Sequence, residues 1–375
     1  MNSLKFECGC TFIPDWDSEK IKLDCPRTFE MISKSPLGVF QLAGHTAKKW
    51  IEKFSPDSLQ EISDFTSLDR PGCLQSGMMD EYINVKFGEK EAEYAHEDLK
   101  AILSKTYGTL VYQEQIMEIC WRIAGLTLGE ADNIRKACGK KKADLMAQCK
   151  DMFIAGGVKK NYSKELMDGL WAWIDKFSGY GFNLAHAICY AMLAYKTAWA
   201  KAHFPTEFYT ALLRTSVLNT AEQTEEIRSI INDAKIQGVE ILPPSIAKGN
   251  LIFEILGDRK IAFGLGSIKG IGPSSLKQLL SCKASSYKEF VLIAIKERVK
   301  KTVIEGLIWS GALDDFGVGR YDMAADFQLI WGLTDKELAQ ILDAFIGDSS
   351  IKEAVEYLSD SSTVEDRKIL GEHTP

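Results

Sequence analysis

Apolar residues recur at a helical spacing through most of this chain. Between residues 111 and 124, the side chains of Val111, Ile116, Ile119 and Ile123 fall on one helical face. Other segments with this spacing are 46–54, 59–68, 128–139, 184–203 and 206–235. The pattern therefore predicts a mainly α protein built from many helices.

Capping residues predict where several of these helices begin and end. Thr127 and Glu130 form a capping-box pattern, in which each side chain bonds the backbone N–H of the other. Asn183 is a natural N-cap for the long helix 184–203, and Pro205 terminates it.

Glycines predict further joints between helices. Gly125 is expected to end one helix in a left-handed cap, and Gly139 to end the next. Gly156-Gly157 predicts that residues 143–177 form two helices joined near these glycines.

The chain changes character from residue 241 onward. Strand-like segments 251–256 and 261–265 flank a Gly257-Asp258 turn, which predicts a short β-hairpin. Ile268-Lys-Gly-Ile-Gly-Pro-Ser-Ser275 then opens a helix. A Gly-apolar-Gly turn between helices is typical of a helix-hairpin-helix element, whose glycines let backbone N–H groups approach a nucleic-acid phosphate. The same turn also joins ordinary helices.

Composition narrows the class of protein. The chain is 46% hydrophobic and 26% charged, with nine scattered cysteines. It carries no apolar run long enough to span a bilayer and no signal-peptide pattern, which predicts a cytoplasmic protein with reduced thiols and no membrane partner. Cys8 and Cys10 have no second ligand pair, so no metal site is predicted there.

Charge is segregated along the chain, although the net charge is −7. Residues 131–205 hold twelve Lys and Arg against six Asp and Glu, whereas residues 321–375 hold four against twelve. The basic segment is where a polyanion would be steered. Any one lysine run taken alone is more simply a solvated helix face.

The basic segment combines a cationic helix end with a glycine- and aromatic-rich loop. Arg135-Lys136 runs into Gly139-Lys-Lys-Lys142, and Lys176-Phe-Ser-Gly-Tyr-Gly-Phe-Asn183 precedes a helix that carries His186. A helix N-terminus and nearby cations favour phosphate groups. The sequence therefore predicts a polyphosphate site beside a surface for bases, although a lone helical histidine is as often a packed side chain.

A series of motifs in one order carries a family resemblance. The motifs are Phe40-Gln-Leu42, Arg70-Pro-Gly72, Ser76-Gly-Met78, Thr106-Tyr-Gly108, Val111-Tyr-Gln-Glu-Gln115, Leu128-Gly-Glu-Ala-Asp132, Gly139-Lys-Lys-Lys142, Gly179-Tyr-Gly-Phe-Asn183, Lys201-Ala-His-Phe-Pro205, Ile241-Leu-Pro-Pro244 and Phe263-Gly-Leu265. Over about residues 20 to 315, the chain resembles the fingers and tandem helix-hairpin-helix region of bacterial DNA polymerase III alpha subunits, the C-family replicative polymerases.

The resemblance implies a role for particular residues. Those implied to bind the incoming deoxynucleoside triphosphate are Arg135, Lys136, Lys140, Asn183 and His186. Those expected to contact template–primer DNA are Arg70, Lys141, Lys142, Lys269, Gly270 and Gly272.

The chain departs from the family pattern at three places. Lys136 stands where the family usually has a second Arg, which keeps the charge but loses the bidentate fork. Leu184-Ala185 replaces the usual Lys-Ser, and Ala43-Gly44 replaces Glu-Ser. The change at Leu184-Ala185 removes one charge and one hydroxyl from the surface of the fingers that, by the resemblance, faces the nucleotide.

Phosphoryl transfer in this family uses two Mg²⁺ ions held by the carboxylates of a palm domain. The family's palm lies upstream of the matching region, so we expect a separately encoded palm fragment as partner, as in a phage-encoded or split polymerase. Asp15 and Asp17 have the spacing of a metal pair and are the alternative catalytic residues. Their surroundings, however, resemble the family's palm-to-fingers linker.

The resemblance implies four regions. Residues 1–35 correspond to the palm-to-fingers linker, 36–240 to a multi-helical fingers domain, 241–320 to a small helix-hairpin-helix domain with a β-hairpin, and 321–375 to an acidic helical tail. The expected function is a component of a DNA-directed DNA polymerase that is inactive alone. The alternatives are a non-catalytic DNA-binding or interaction protein that retains the fingers fold, and a plain helical scaffold.

Overall fold

The computed structural model describes residues 21–140, 143–177, 180–216, 223–248 and 250–332. Two compact units divide the chain between His203 and Phe204. Most described residues are helical, which confirms the mainly α fold. The acidic tail beyond residue 332, together with Cys8 and Cys10, lies outside the described residues.

The first unit contains eleven α-helices in its described part. They are α1 (Pro26–Lys34), α2 (His45–Phe54), α3 (Leu59–Leu68), α4 (Pro71–Gln75), α5 (Met78–Lys86), α6 (Lys100–Leu103), α7 (Gln113–Arg122), α8 (Leu128–Lys140), α9 (Ala143–Lys159), α10 (Lys164–Phe177) and α11 (Leu184–His203). Helix α11 packs against α1 and α3, while α7, α8, α9 and α10 pack in chain order around a second apolar core.

The caps predicted at two helix starts form as expected, whereas α8 continues one residue beyond Gly139 to Lys140. Thr127 donates its N–H to Glu130 Oε2 at 2.8 Å, and the Glu130 N–H donates to Thr127 Oγ1 at 3.3 Å. The His186 N–H donates to Asn183 Oδ1 at 2.8 Å. Each side chain satisfies a backbone N–H that the helix itself leaves without a partner.

Residues 143–177 form two helices as predicted, but the first of them, α9, runs through Gly156 and Gly157 to Lys159. A methyl group on Gly156 would lie 2.1 Å from the carbonyl oxygen of Ala124, and one on Gly157 would lie 2.3 Å from Met167. The two glycines therefore permit close packing on α9 instead of breaking it. The joint between α9 and α10 falls at residues 160–163.

A buried lysine near the end of α11 fixes the segment between α1 and α2. Lys201 has no exposed surface, and its ammonium donates to Ser35 O at 2.7 Å, Ser35 Oγ at 2.8 Å and Leu37 O at 2.8 Å. Burying a charge without such partners is costly, so Lys201 holds the segment between α1 and α2 firmly against α11.

The second unit contains six α-helices and a small sheet in its described part. The helices are α12 (Pro205–Ser216), α13 (Gln223–Ile236), α14 (Pro273–Ser281), α15 (Tyr287–Lys296), α16 (Lys301–Ser310) and α17 (Arg320–Trp331). Strands β2 (Glu254–Gly257) and β3 (Lys260–Ala262) form the predicted antiparallel hairpin, and β1 (Glu240–Ile241) pairs in parallel with β3.

The contacts place residues 204–240 with the second unit, although the sequence assigns them to the fingers-like domain. Helix α12 packs on α13 and on β2, and α13 packs on β1. The boundary between the two units therefore lies between His203 and Phe204. The functional domain limits inferred from sequence stay predictions.

Candidate functional site

The loop ending at Asn183 is fixed to the start of α7 by backbone hydrogen bonds. The Gln113 N–H donates to the Phe182 carbonyl at 2.9 Å, and the Phe182 N–H donates to the Val111 carbonyl at 3.1 Å. These bonds form one parallel bridge between Tyr112 and Phe182. The loop is therefore tied to a helix start 70 residues earlier in the chain.

Arg70 fixes the other side of this loop. Its Nη2 donates to the Tyr180 carbonyl at 2.7 Å, its Nε donates to the Ser67 carbonyl at 2.6 Å, and its guanidinium carbon lies 4.7 Å from the centre of the Phe182 ring. A methyl group on Gly72 would lie 2.4 Å from the Tyr180 ring. The Arg70-Pro-Gly72 motif therefore holds the loop. DNA contact by Arg70 stays a prediction.

The N-terminus of α11 is occupied by a carboxylate of the chain itself. Glu114 accepts from Asn183 Nδ2 and from the Leu184 N–H, each at 3.0 Å. Asn183 in turn caps the helix through His186. A negative charge at this helix end is favourable. Because Glu114 already fills it, the helix N-terminus is not an open anion site.

Arg135 and Lys136 share one acidic partner on α8. Nε and Nη2 of Arg135 each lie 2.8 Å from Asp132 Oδ1, and Lys136 Nζ lies 2.7 Å from Asp132 Oδ2. The Lys136 and Arg135 contacts hold the pKa of Asp132 below its usual range. Both cations are partly exposed, at 31% for Arg135 and 55% for Lys136. The two cations are thus held together on one face of the helix end.

Gln113 links Arg135 to the loop. Arg135 Nη1 donates to Gln113 Oε1 at 3.2 Å, while Gln113 Nε2 donates to the Gly181 carbonyl at 3.2 Å. The structure thus brings together the two elements that the sequence singles out separately, the basic helix end and the Tyr180–Asn183 loop.

Aromatic side chains extend from the loop along α11. The His186 ring lies 5.6 Å from the Phe182 ring and 4.0 Å from the Tyr190 ring, and Tyr190 lies 5.2 Å from Phe40. His186 is exposed, and the other three rings are half-buried. Exposed ring faces of this kind can stack on a nucleobase.

Most of the remaining residues predicted to bind nucleotide or DNA, or to be catalytic, lie outside the described residues. Lys140 is the last residue of α8, and only its backbone is described. Lys141, Lys142, Asp15 and Asp17 lie outside the described residues. Their predicted roles therefore stay predictions.

The predicted phosphate-binding hairpin lies in the second unit. Lys269 and Gly270 are exposed, and Gly270 has a φ of 92°, which a side chain would strain. Gly272 is the N-cap of α14, and a methyl group built there would meet nothing within 4 Å. A 3₁₀ turn at Leu265–Ser267 takes the place of a full first helix. The exposed turn leaves the N-terminus of α14 open to a ligand.

A cavity of about 780 Å³ in the first unit is lined by Tyr180 and Trp173 but not by Arg135 or His186. The nucleotide candidates therefore lie on an open surface and not in this cavity. Across the described parts of the chain, no three His, Cys, Asp or Glu side chains are grouped closely enough to hold a metal ion. The two Mg²⁺ ions that the resemblance implies, and the palm that would hold them, stay predictions. Within the same ranges, no helix has the length and apolar character needed to cross a membrane.

Sequence reasoning missed Gln113, Glu114 and Asp132 as parts of this site. Asp132 could have been found, because it stands three and four residues before the two cations on a helix. Gln113 and Glu114 gave no such signal, because their partners lie far along the chain.

Comparison with known proteins identifies two regions of the chain. The bacterial DNA polymerase III alpha subunit finger domain family matches residues 10–161, and a helix-hairpin-helix motif family matches residues 238–323. The two matches correspond to the two regions that the sequence motifs distinguish.

Relatives match most of the chain. The DNA polymerase III alpha subunit of Aquifex aeolicus is 40% identical over 302 residues, which cover 79% of this chain and 26% of the relative. That of Escherichia coli K12 is 37% identical over 318 residues, covering 82% and 27%. The Haemophilus influenzae subunit is 36% identical over 326 residues, covering 84% and 28%. The chain thus spans about a quarter of the length of these relatives. It belongs to the bacterial DNA polymerase III alpha subunit family, and its matched residues correspond to the finger and helix-hairpin-helix regions.

Proposed function

We propose that this chain binds an incoming deoxynucleoside triphosphate and template–primer DNA as a component of a DNA-directed DNA polymerase in replication. One observation carries the proposal: Arg135 and the aromatic wall formed by Phe182 and His186 are joined through Gln113. A cation beside exposed ring faces suits a ligand that has both phosphates and a base.

Arg135 and Lys136 are the proposed phosphate ligands, together with Lys140. An arginine carries five N–H donors, and the contacts to Asp132 and Gln113 use three nitrogens once each. Among the described residues, two donors are therefore left for phosphate oxygens. Asp132 orients both cations and keeps them at one place.

His186 is the proposed contact to the nascent base pair or sugar. Its ring is exposed, and its position is set by Phe182 on one side and Tyr190 on the other. Asn183 would act differently, because its amide is already bonded to Glu114 and to the His186 N–H. We assign Asn183 the role of holding in place the aromatic wall formed by Phe182 and His186, against which the base would stack.

The hairpin Lys269–Gly272 is the proposed contact to the DNA backbone. Backbone N–H groups at the start of α14 and the Lys269 charge would meet phosphates without reading sequence. Nucleotidyl transfer would need Mg²⁺ ions held by carboxylates of a palm, for which we propose a separately encoded partner chain. When bound, such ions supply Lewis-acid activation of the primer hydroxyl. The described residues of this chain would bind and orient the nucleotide and DNA.

The test is nucleotide affinity measured by calorimetry on the full chain. Arg135→Ala is expected to weaken deoxynucleoside triphosphate binding about tenfold or more, because a charge-assisted contact is lost. The matched control is Arg122→Ala, since Arg122 is an exposed arginine of the same unit paired with Glu118. Equal affinity for wild type and Arg135→Ala would reject the proposed nucleotide site. Primer extension with and without a separately expressed palm tests the partner.

A non-catalytic DNA-binding protein that retains the finger fold is the second candidate. Leu184-Ala185 favours it, because these residues stand at the nucleotide wall where the resemblance implies Lys-Ser. The double variant Leu184→Lys with Ala185→Ser is expected to raise nucleotide affinity if the first proposal is right. Salt-dependent duplex binding without nucleotide affinity in either protein would favour the second.

A further inference from the structure

The Gln113 side chain lies between the cationic end of α8 and the Tyr180–Asn183 loop. Its Oε1 accepts from Arg135 Nη1 and its Nε2 donates to the Gly181 carbonyl, each at 3.2 Å. Its own N–H donates to the Phe182 carbonyl at 2.9 Å. One half-buried residue therefore contacts both elements of the proposed nucleotide site.

The chemistry of this junction requires an amide. Arginine can only donate hydrogen bonds, and a backbone carbonyl can only accept them. The side chain between them must therefore accept at one end and donate at the other, which also fixes the orientation of the Gln113 amide. A carboxylate would satisfy Arg135 and leave Gly181 facing a second acceptor. An apolar side chain of the same length would satisfy neither.

We propose that Gln113 is a positioning residue that couples Arg135 to the loop, so that the phosphate contact and the base-facing wall are held in register. This inference rests on the nucleotide-binding function proposed above. Because coupling between two sites is reciprocal, a phosphate held by Arg135 stabilises the loop, and a base stacked on the loop stabilises Arg135.

Glu114 strengthens the coupling from the next position in the chain. Its carboxylate accepts from Asn183 Nδ2 and from the Leu184 N–H at 3.0 Å. Consecutive residues at the start of α7 thus hold the loop, the N-terminus of α11 and the end of α8. Any shift of α7 would move all three together.

The first test is hydrogen exchange of the Phe182 amide in the nucleotide-free full chain. Gln113→Met and Arg135→Ala are each expected to speed this exchange several-fold, and the double variant no further than the faster single one. Gln75→Met, an exposed glutamine on α4, is the control and should leave the rate unchanged. Unchanged exchange in Arg135→Ala would overturn the coupling, whatever the nucleotide affinities are.

The second test is a double-mutant cycle on deoxynucleoside triphosphate affinity. Gln113→Met is expected to weaken binding about three- to tenfold in the wild type and to have no effect in Arg135→Ala, because the connection is already broken there. Gln113→Glu should restore part of the affinity, since its carboxylate still accepts from Arg135. If the losses of affinity from Gln113→Met and Arg135→Ala multiply in the double variant, the two residues act independently, and Gln113 only supports folding. If Arg135→Ala binds as wild type does, the proposed function fails, and the exchange experiment alone decides the coupling.

Discussion

The Tyr112 hydroxyl lies 2.5 Å from Oδ1 of Asp64, and the Tyr82 hydroxyl donates to Oδ2 of the same carboxylate at 2.6 Å. Asp64 has no exposed surface. Burial raises the pKa of Asp64 to about 6, although hydrogen bonds from Tyr112, Tyr82 and Gln60 lower it in part. A buried carboxyl group with a raised pKa therefore contacts the side chain of Tyr112, the residue whose backbone pairs with Phe182.

The free energy of unfolding should fall as pH rises from about 4 through 6, because the folded state holds the Asp64 proton more tightly than the unfolded chain. At about 1.4 kcal/mol per pKa unit, this one group contributes roughly 3 kcal/mol at most. Asp64→Asn should flatten the pH dependence, measured by urea unfolding between about pH 4 and 7.

The matched control for that experiment is Asp80→Asn, because Asp80 is an exposed carboxylate of the same unit. It should leave the pH dependence as in wild type. The same slope in wild type and Asp64→Asn would contradict the assignment, since the titrating group would then lie elsewhere.

Lys86→Met should destabilise the first unit by about 3 to 5 kcal/mol, because it leaves the buried Glu61 carboxylate unpaired. Lys86 Nζ lies 2.6 Å from Glu61, both side chains are about 5% exposed, and the ammonium also donates to the Phe54 carbonyl at 3.0 Å. Chemical denaturation gives the free energy.

Lys90→Met is the comparison for Lys86→Met. Its ion pair with Glu81 is about as short, at 2.7 Å, but both side chains are more than 40% exposed. The expected cost is below about 1 kcal/mol. If the two variants lose similar amounts of unfolding free energy, burial does not determine how much the Lys86–Glu61 ion pair contributes to stability.

Arg70→Lys should speed hydrogen exchange in the Tyr180–Asn183 loop and weaken nucleotide binding. A lysine keeps the charge but loses the planar fork that reaches both Ser67 and Tyr180, and it stacks less well on Phe182. If Arg70 instead contacts only DNA, Arg70→Lys should lower DNA affinity and leave hydrogen exchange in the loop unchanged.

Gly272→Ala should reduce duplex DNA affinity while leaving stability nearly unchanged. Its φ is −118°, an ordinary value for alanine, and a methyl group there meets no atom of the chain within 4 Å. The methyl would instead occupy the space through which a phosphate approaches the start of α14. Fluorescence anisotropy with labelled duplex measures the affinity.

Lys269→Ala provides a second measure of the same hairpin. Removing one phosphate contact should lower the slope of the logarithm of DNA affinity against the logarithm of salt concentration by about one. DNA binding unchanged in both Gly272→Ala and Lys269→Ala would place the DNA contact elsewhere.

Local chemistry made the helix ends predictable, because Thr127 with Glu130 and Asn183 act within a few residues of their own position. The position of the joint after Gly156-Gly157 could not be read from the sequence, because a glycine serves either to break a helix or to admit a neighbour. Only the packed structure, with Ala124 and Met167 against α9, distinguishes these uses. The connection through Gln113 could not be predicted, since it depends on residues brought together from three distant segments.

The buried ammonium of Lys201 has a consequence for how the first unit comes apart. Three of its hydrogen bonds end on oxygens of Ser35 and Leu37, so separating α11 from this segment would break three contacts to a charge in the core. Partial opening at this point is therefore strongly disfavoured. The segment between α1 and α2 should unfold only together with the C-terminal half of α11, as one cooperative block with the same opening free energy.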